Sequence, residues 1–221
     1  MDDWPCHSAA WTDTQKKSLI ASERDAWERA RFLVEQEDID PADVVVIDEF
    51  GSNLDMTVRY ARAPRGERAV ASLPRNTPPN TTTISSLTTT GMGPSLMTEG
   101  GVTSAMFEAY VEHILGPTLR PGQVILLDNL SAHKSPRLRE LLAARGCRLW
   151  YLPSYSPDFS PIELAFAKIK DELRRVGART REVLEAAVAQ ALTHISSEDA
   201  CAFFKHCGFR FRPNLAQWFC S

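Results

Sequence analysis

Apolar positions along this chain fall into two patterns. Val44-Val45-Val46-Ile47 is a continuous β-branched run that stops on Asp48-Glu49, the pattern of a strand buried on both faces. Val124-Ile125-Leu126-Leu127 repeats that pattern and stops on Asp128, and Cys147 to Leu152 is a shorter run of the same kind. Between the first two runs, Met56 to Arg62 alternates Met56, Val58 and Tyr60 with Thr57 and Arg59, which predicts a strand following a Gly51-Ser52-Asn53 hairpin turn. Asn80 to Thr90, Thr-rich with Ile84 and Leu87, predicts another strand. The Pro- and Arg-rich stretch from Ala63 to Pro79 reads as a loop.

The second pattern has helical spacing. Thr14 to Gln36 is charged, with a weak stripe of Leu19, Ile20, Trp27, Phe32 and Leu33, and Asp40-Pro41 breaks it. Thr103 begins a helix with Met106, Phe107, Tyr110, Val111, Ile114 and Leu115 on one face. Ser135-Pro136 caps a helix carrying Leu138, Leu141 and Leu142, which Gly146 terminates. Residues 161–176 place Ile162, Phe166, Ile169, Leu173 and Val176 at helical spacing, and two further helices are predicted near 180–193 and 197–206.

Three strands joined by short links, then helix, strand, helix, strand and helices, imply an α/β fold of ribonuclease H-like type. Its mixed five-stranded sheet has three antiparallel strands followed by two parallel ones, with helices on both faces. The domain reading is a disordered or non-native tail over 1–13, a linker helix over 14–41, the ribonuclease H-like domain over 42–210, and an irregular tail over 211–221 with Trp218 and Phe219 docking on the body.

Composition narrows the function classes. The 221 residues suit one medium domain, and the formal charge of −3 excludes a polycation, so nucleic-acid affinity would have to come from local basic patches or another part. No apolar run reaches the roughly 18–20 residues of a bilayer span, and the start carries Asp2 and Asp3 without an apolar signal segment. The scattered cysteines, Cys6, Cys147, Cys201, Cys207 and Cys220, contain no C-x-x-C pair and predict free thiols in a reducing compartment.

The chemistry lies in acids at the ends of elements. Asp48 and Asp128 each end a buried strand, where open sheets place their sites. Brought side by side they would repel unless a cation neutralised them. Glu163, separated from Asp128 by 34 residues, could complete a site for Mg²⁺, which takes hard oxygen ligands. Each acid also has a plainer reading. A strand-end Asp is commonly a turn residue, and Ser160-Pro161-Ile162-Glu163 is a literal capping box. Glu49 could replace Asp48, although only one of two strand neighbours can face the site. Asp158 could replace Glu163.

Val46-Ile47-Asp48-Glu49, Arg62-Ala63-Pro64-Arg65-Gly66-Glu67-Arg68, Leu127-Asp128-Asn129-Leu130-Ser131-Ala132-His133-Lys134 and the run from Tyr151 to Glu163, with its Ser156-Pro157-Asp158 and Pro161-Ile162-Glu163, resemble the catalytic domain of DDE transposases. The relatives are the bacterial insertion-sequence type of the Tc/mariner superfamily, and the resemblance covers roughly residues 14–210. It implies Asp48, Asp128 and Glu163 as catalytic and metal-binding residues, two Mg²⁺ (or Mn²⁺) ions, cleavage of double-stranded DNA at transposon ends, and strand transfer of the freed 3′ hydroxyl into target DNA. It further implies a homodimer on DNA, a helix-turn-helix part ahead of the catalytic domain, and a bacterial cytoplasmic location at the nucleoid. Two positions depart from the pattern: Ser160 replaces a commoner Asn, and bulky Phe50 replaces a small polar residue beside the first Asp.

His133 and Lys134 are candidate contacts to a scissile phosphate, with a loop hydrogen bond as the plainer role of His133. Lys168, Lys170 and Arg174 form a candidate basic ridge leading from Glu163, and Arg62 and Arg65 a second DNA contact; the alternative is a solvated charged face. Two rival functions fit the same residues. One is a ribonuclease H-like nuclease that does not transpose. The other is a truncated transposase remnant that binds DNA or a partner.

Overall fold

The computed structural model describes residues 21–74, 76, 78–130 and 133–211. Leu19, Ile20 and both tails, with Trp218 and Phe219, lie outside the described residues. The first described helix, α1 (Ala26–Glu37), starts at Asp25, whose carboxylate accepts from the Trp27 and Glu28 amides. It is followed by β1 (Val44–Ser52), β2 (Thr81–Thr88), β3 (Gly91–Glu99), α2 (Ser104–Ala109) with a wider π-type turn over Tyr110–Leu115, and β4 (Val124–Leu127). The chain continues through α3 (Pro136–Ala143), β5 (Arg148–Tyr151), α4 (Pro161–Val176), α5 (Arg181–Thr193) and α6 (Ser197–His206).

The sheet has the order β3-β2-β1-β4-β5. β1 pairs antiparallel with β2, and β2 with β3; β1 pairs parallel with β4, and β4 with β5. This is the ribonuclease H-like fold expected. β1 is central, and its side chains alternate between two cores. Val44, Val46 and Phe50 join the layer of α4, α5 and α6, while Val45 and Ile47 join the layer of α2 and α3. Among the described residues no helix is long and apolar enough to cross a membrane.

The antiparallel half differs from expectation. Residues 56–62 are not a strand, and the third antiparallel strand is β3. The Leu54 and Met56 carbonyls accept from the Arg179 guanidinium instead of a neighbouring strand. Tyr60 is 92% exposed, so the alternation of 56–62 has no core to serve. β3 escaped the pattern reading because it begins Gly91-Met92-Gly93-Pro94, residues that argue against a strand. Each has a local reason. Gly91 turns at φ +125°, and a Cβ there would lie 2.9 Å from the Ile195 carbonyl oxygen. A Cβ on Gly93 would lie 2.2 Å from Ser86 Oγ. Pro94 sits where the ladder shifts register, and its carbonyl accepts from the Tyr110 hydroxyl at 2.7 Å.

α1 packs on the body through Phe32, which stacks on Trp150 at 4.0 Å, and through Gln36, whose amide donates to the Cys207 carbonyl. Trp27, counted in its stripe, is instead 86% exposed.

Candidate active site

The parallel β1–β4 pairing aligns Val44 with Val124 and Val46 with Leu126. The same offset, carried two residues on, brings Asp48 level with Asp128. Asp48 lies on the α4 side of β1, and Glu49 turns to the opposite face, so only Asp48 enters the cleft. α4 crosses that side with Ile162 and Phe166 buried and with Glu163 exposed in its first turn. Asp48, Asp128 and Glu163 therefore line one cleft of about 390 Å³, walled by Asn129, Ser154 and Tyr155. Phe50 is not in that wall; it is buried against Phe166 at 4.7 Å.

The capping-box reading of Glu163 does not hold. Ser160 is the N-cap residue, but its side chain makes no cap hydrogen bond, and the Glu163 amide bonds the Ser160 carbonyl at 3.2 Å. The Glu163 carboxylate is left to the cleft. Asp158 is occupied elsewhere: Arg29 binds it through two bonds of 3.0 and 2.7 Å, and Arg24 through one of 2.6 Å. Burial raises its carboxyl pKa, but the Arg29 bonds and the charges of Arg29 and Arg24 outweigh that and hold it below its usual range.

Asp48 feels the other acids around it. Burial pushes the Asp48 carboxyl up to about 7, and the charges of Glu163, Asp128 and Glu49 add to it, against the hydrogen bond from the Glu49 amide at 2.8 Å. The donor set suits a hard divalent cation, since all three groups are oxygen ligands whose mutual repulsion an ion would relieve. Among the described residues no group of three or more His, Cys, Asp or Glu side chains is drawn together tightly enough to ligate one ion. Binding an ion would have to draw the three carboxylates inward.

His133 has a role that neither sequence reading anticipated. It is 2% exposed, its Nδ1 lies 2.5 Å from Asp128 Oδ1 and its Nε2 lies 3.2 Å from Glu49 Oε1. Its ring stacks on Phe107 at 4.3 Å. Burial alone would lower its pKa, but the bonds to Asp128 and Glu49 and their charges raise it to about 9. His133 is thus a bridge between acids from the two faces of the sheet and, as placed, has no surface for a DNA phosphate.

The other candidate DNA contacts divide. Lys134 is exposed, with its ammonium 6.0 Å from the Tyr151 ring centre. Lys168 is committed to Asp199 at 2.6 Å, which removes it from a free basic ridge. Lys170 lies over the Phe50 ring at 5.9 Å, and Arg174 pairs with Asp171. Arg62 and Arg65 are exposed on the segment between β1 and β2.

Fold and site together define an α/β domain of ribonuclease H-like type, with acids gathered at the carboxyl ends of its central parallel strands. The family model described as DDE superfamily endonuclease matches residues 43–185, well over half of the chain, and the chain belongs to that family. Solved structures of Mos1 transposase share the fold. The Mos1 strand transfer complex aligns with a TM-score of 0.69 at 15% identity, over 90% of this chain and 62% of that one. The Mos1 mariner paired end complex with Mn gives 0.66 at 14%, over 89% and 63%. The isolated Mos1 mariner catalytic domain gives 0.57 at 14%, over 81% and 83%. The chain thus spans about 63% of the length of the Mos1 chain in the paired end complex. No curated protein matches the chain.

Proposed function

We propose that this chain is the catalytic domain of a cut-and-paste DNA transposase of the Tc/mariner type, with Asp48, Asp128 and Glu163 as its catalytic, metal-binding residues. The observation that carries this reading is the convergence of three carboxylates, from β1, the end of β4 and the first turn of α4, on one cleft, where the charges of Glu163 and Asp128 add to the raised pKa of Asp48. A pair of Mg²⁺ or Mn²⁺ ions, when bound, supplies activation of the attacking oxygen and stabilisation of the leaving one. Asp48 and Asp128 present oxygens from a rigid sheet, and the helix start carries Glu163 on the facing wall. His133, tied to Glu49 and stacked on Phe107, holds Asp128 in orientation.

The substrate is double-stranded DNA, first a transposon end and then target DNA. Lys134, Lys170, Arg174, Arg62 and Arg65 are the candidates for backbone contact. Mos1 transposase is known as a paired end complex and as a strand transfer complex, which supports carrying both steps and pairing of two copies to this chain. Sequence-specific end recognition is assigned to a separate helix-turn-helix part, and the setting to bacterial nucleoid DNA.

The test uses supercoiled plasmid with Mg²⁺ or Mn²⁺, followed by a duplex carrying a free 3′ hydroxyl end. The wild type should nick plasmid only with metal and join the duplex end to plasmid, and Asp128→Asn should do neither. Nicking without joining would favour a nuclease that does not transpose, and metal-independent nicking would refute the reading.

A further inference from the structure

We propose that α1, together with Arg24 just ahead of its N-cap, is a positioning element of the active site: Arg24 and Arg29 hold Asp158 and so fix the loop that delivers Glu163. This rests on the reading of Glu163 as a catalytic residue. Asp158 stands in the single turn Pro157–Phe159, separated from α4 only by the N-cap Ser160, and the same loop supplies Ser154 and Tyr155 to the cleft wall. Within it Tyr155 is the one described non-glycine residue with positive φ, at 54°. A side chain in that region persists only where its surroundings over-determine it.

The grip falls further along the loop, on Asp158 and Phe159, and has two parts. The Arg29 guanidinium makes a fork on both Asp158 oxygens, while Arg24 adds a third bond. Forked arginine–carboxylate pairs fix direction as well as distance. The Arg29 guanidinium also lies 3.9 Å over the Phe159 ring. Phe159 in turn stacks on Phe32 of α1 at 5.2 Å and 7°, and Phe32 stacks on Trp150 of β5. The loop before Glu163 is therefore gripped by charge and by stacked rings from a helix more than 120 positions away in sequence. A small misplacement of a reacting group lowers rate steeply, so loss of this grip should appear in turnover before it appears in folding.

The experiment compares the wild-type chain with Asp158→Asn, Asp158→Glu and Arg29→Ala by two readouts. One is hydrogen exchange over residues 152–163; the other is metal-dependent plasmid nicking at saturating plasmid. Asp158→Asn and Arg29→Ala should speed exchange in this segment at least about tenfold and lower the nicking rate constant about 10- to 100-fold, with little change in half-saturating plasmid or in melting temperature. Asp158→Glu, which keeps the charge, should recover part of both. Unchanged exchange in Asp158→Asn overturns the grip, whether or not the wild type nicks DNA. Faster exchange with unchanged nicking overturns its catalytic consequence. A wild type that never nicks with metal, but shows the expected exchange pattern, leaves the grip standing and refutes the catalytic reading of Glu163 instead.

Discussion

Two helices of this chain begin with a serine followed three residues later by an acid, and the two use that pattern in opposite ways. At α6, Ser196 Oγ accepts from the Asp199 amide, and Asp199 accepts from the Ser196 amide, each at 3.1 Å. Lys168 adds an ion pair to the same carboxylate. At α4, Ser160 makes no such cap bond, and Glu163 reaches into a cleft it shares with two other acids. The Asp199 carboxyl is held below its ordinary pKa by Lys168 and by the cap. Glu163 instead helps raise its neighbour Asp48. An acid that gives up an available cap to face other acids is placed for something other than stability.

That contrast can be broken in several ways. The largest expected effect is on activity. Glu163→Gln should bring metal-dependent nicking below detection, yet leave stability within about 0.5 kcal/mol, because it removes no cap. Loss of stability with retained nicking would reverse the assignment. Next is Asp48→Asn in metal-free buffer. The raised pKa means that folded Asp48 keeps a proton its unfolded form releases near 3.8, so its contribution to stability falls as pH rises from about 4 through about 7. Denaturant melts of Asp48→Asn and wild type should agree near pH 4, with the variant more stable at pH 8 by on the order of 1–4 kcal/mol. Added Mg²⁺ should shrink that gap.

Smaller effects sharpen the cap comparison. Ser196→Ala should cost about 1 kcal/mol in denaturant melts, the ordinary value of an N-cap, while Ser160→Ala should cost clearly less. Smallest is Lys168→Ala. Since its charge is spent on Asp199, DNA affinity and its salt dependence should hardly move, whereas Lys134→Ala should weaken binding and lower the salt slope by about one.

Much of this was legible in sequence because it depends on local rules. The buried runs ending at Asp48 and Asp128 define β1 and β4, and α4 starts at Pro161 as its spacing indicates. What stayed hidden depends on distant partners. Residues 56–62 alternate like a strand, but Arg179 takes the Leu54 and Met56 carbonyls. β3 is built from glycines and a proline that only their neighbours explain. Nothing near Asp158 announces Arg24 and Arg29, and nothing near His133 announces Glu49. The motifs named the three acids that line the cleft; that Asp158 is clamped by arginines and that Asp128 is tied to His133 could not be read from them.

The most direct test of the central claim is the anomalous signal of Mn²⁺ in crystals of the full chain. The account predicts manganese bound in the cleft with oxygens of Asp48, Asp128 and Glu163 all among its ligands. Manganese absent from the cleft, or held there by the two aspartates with Glu163 bonded back to the Ser160 amide, would contradict it.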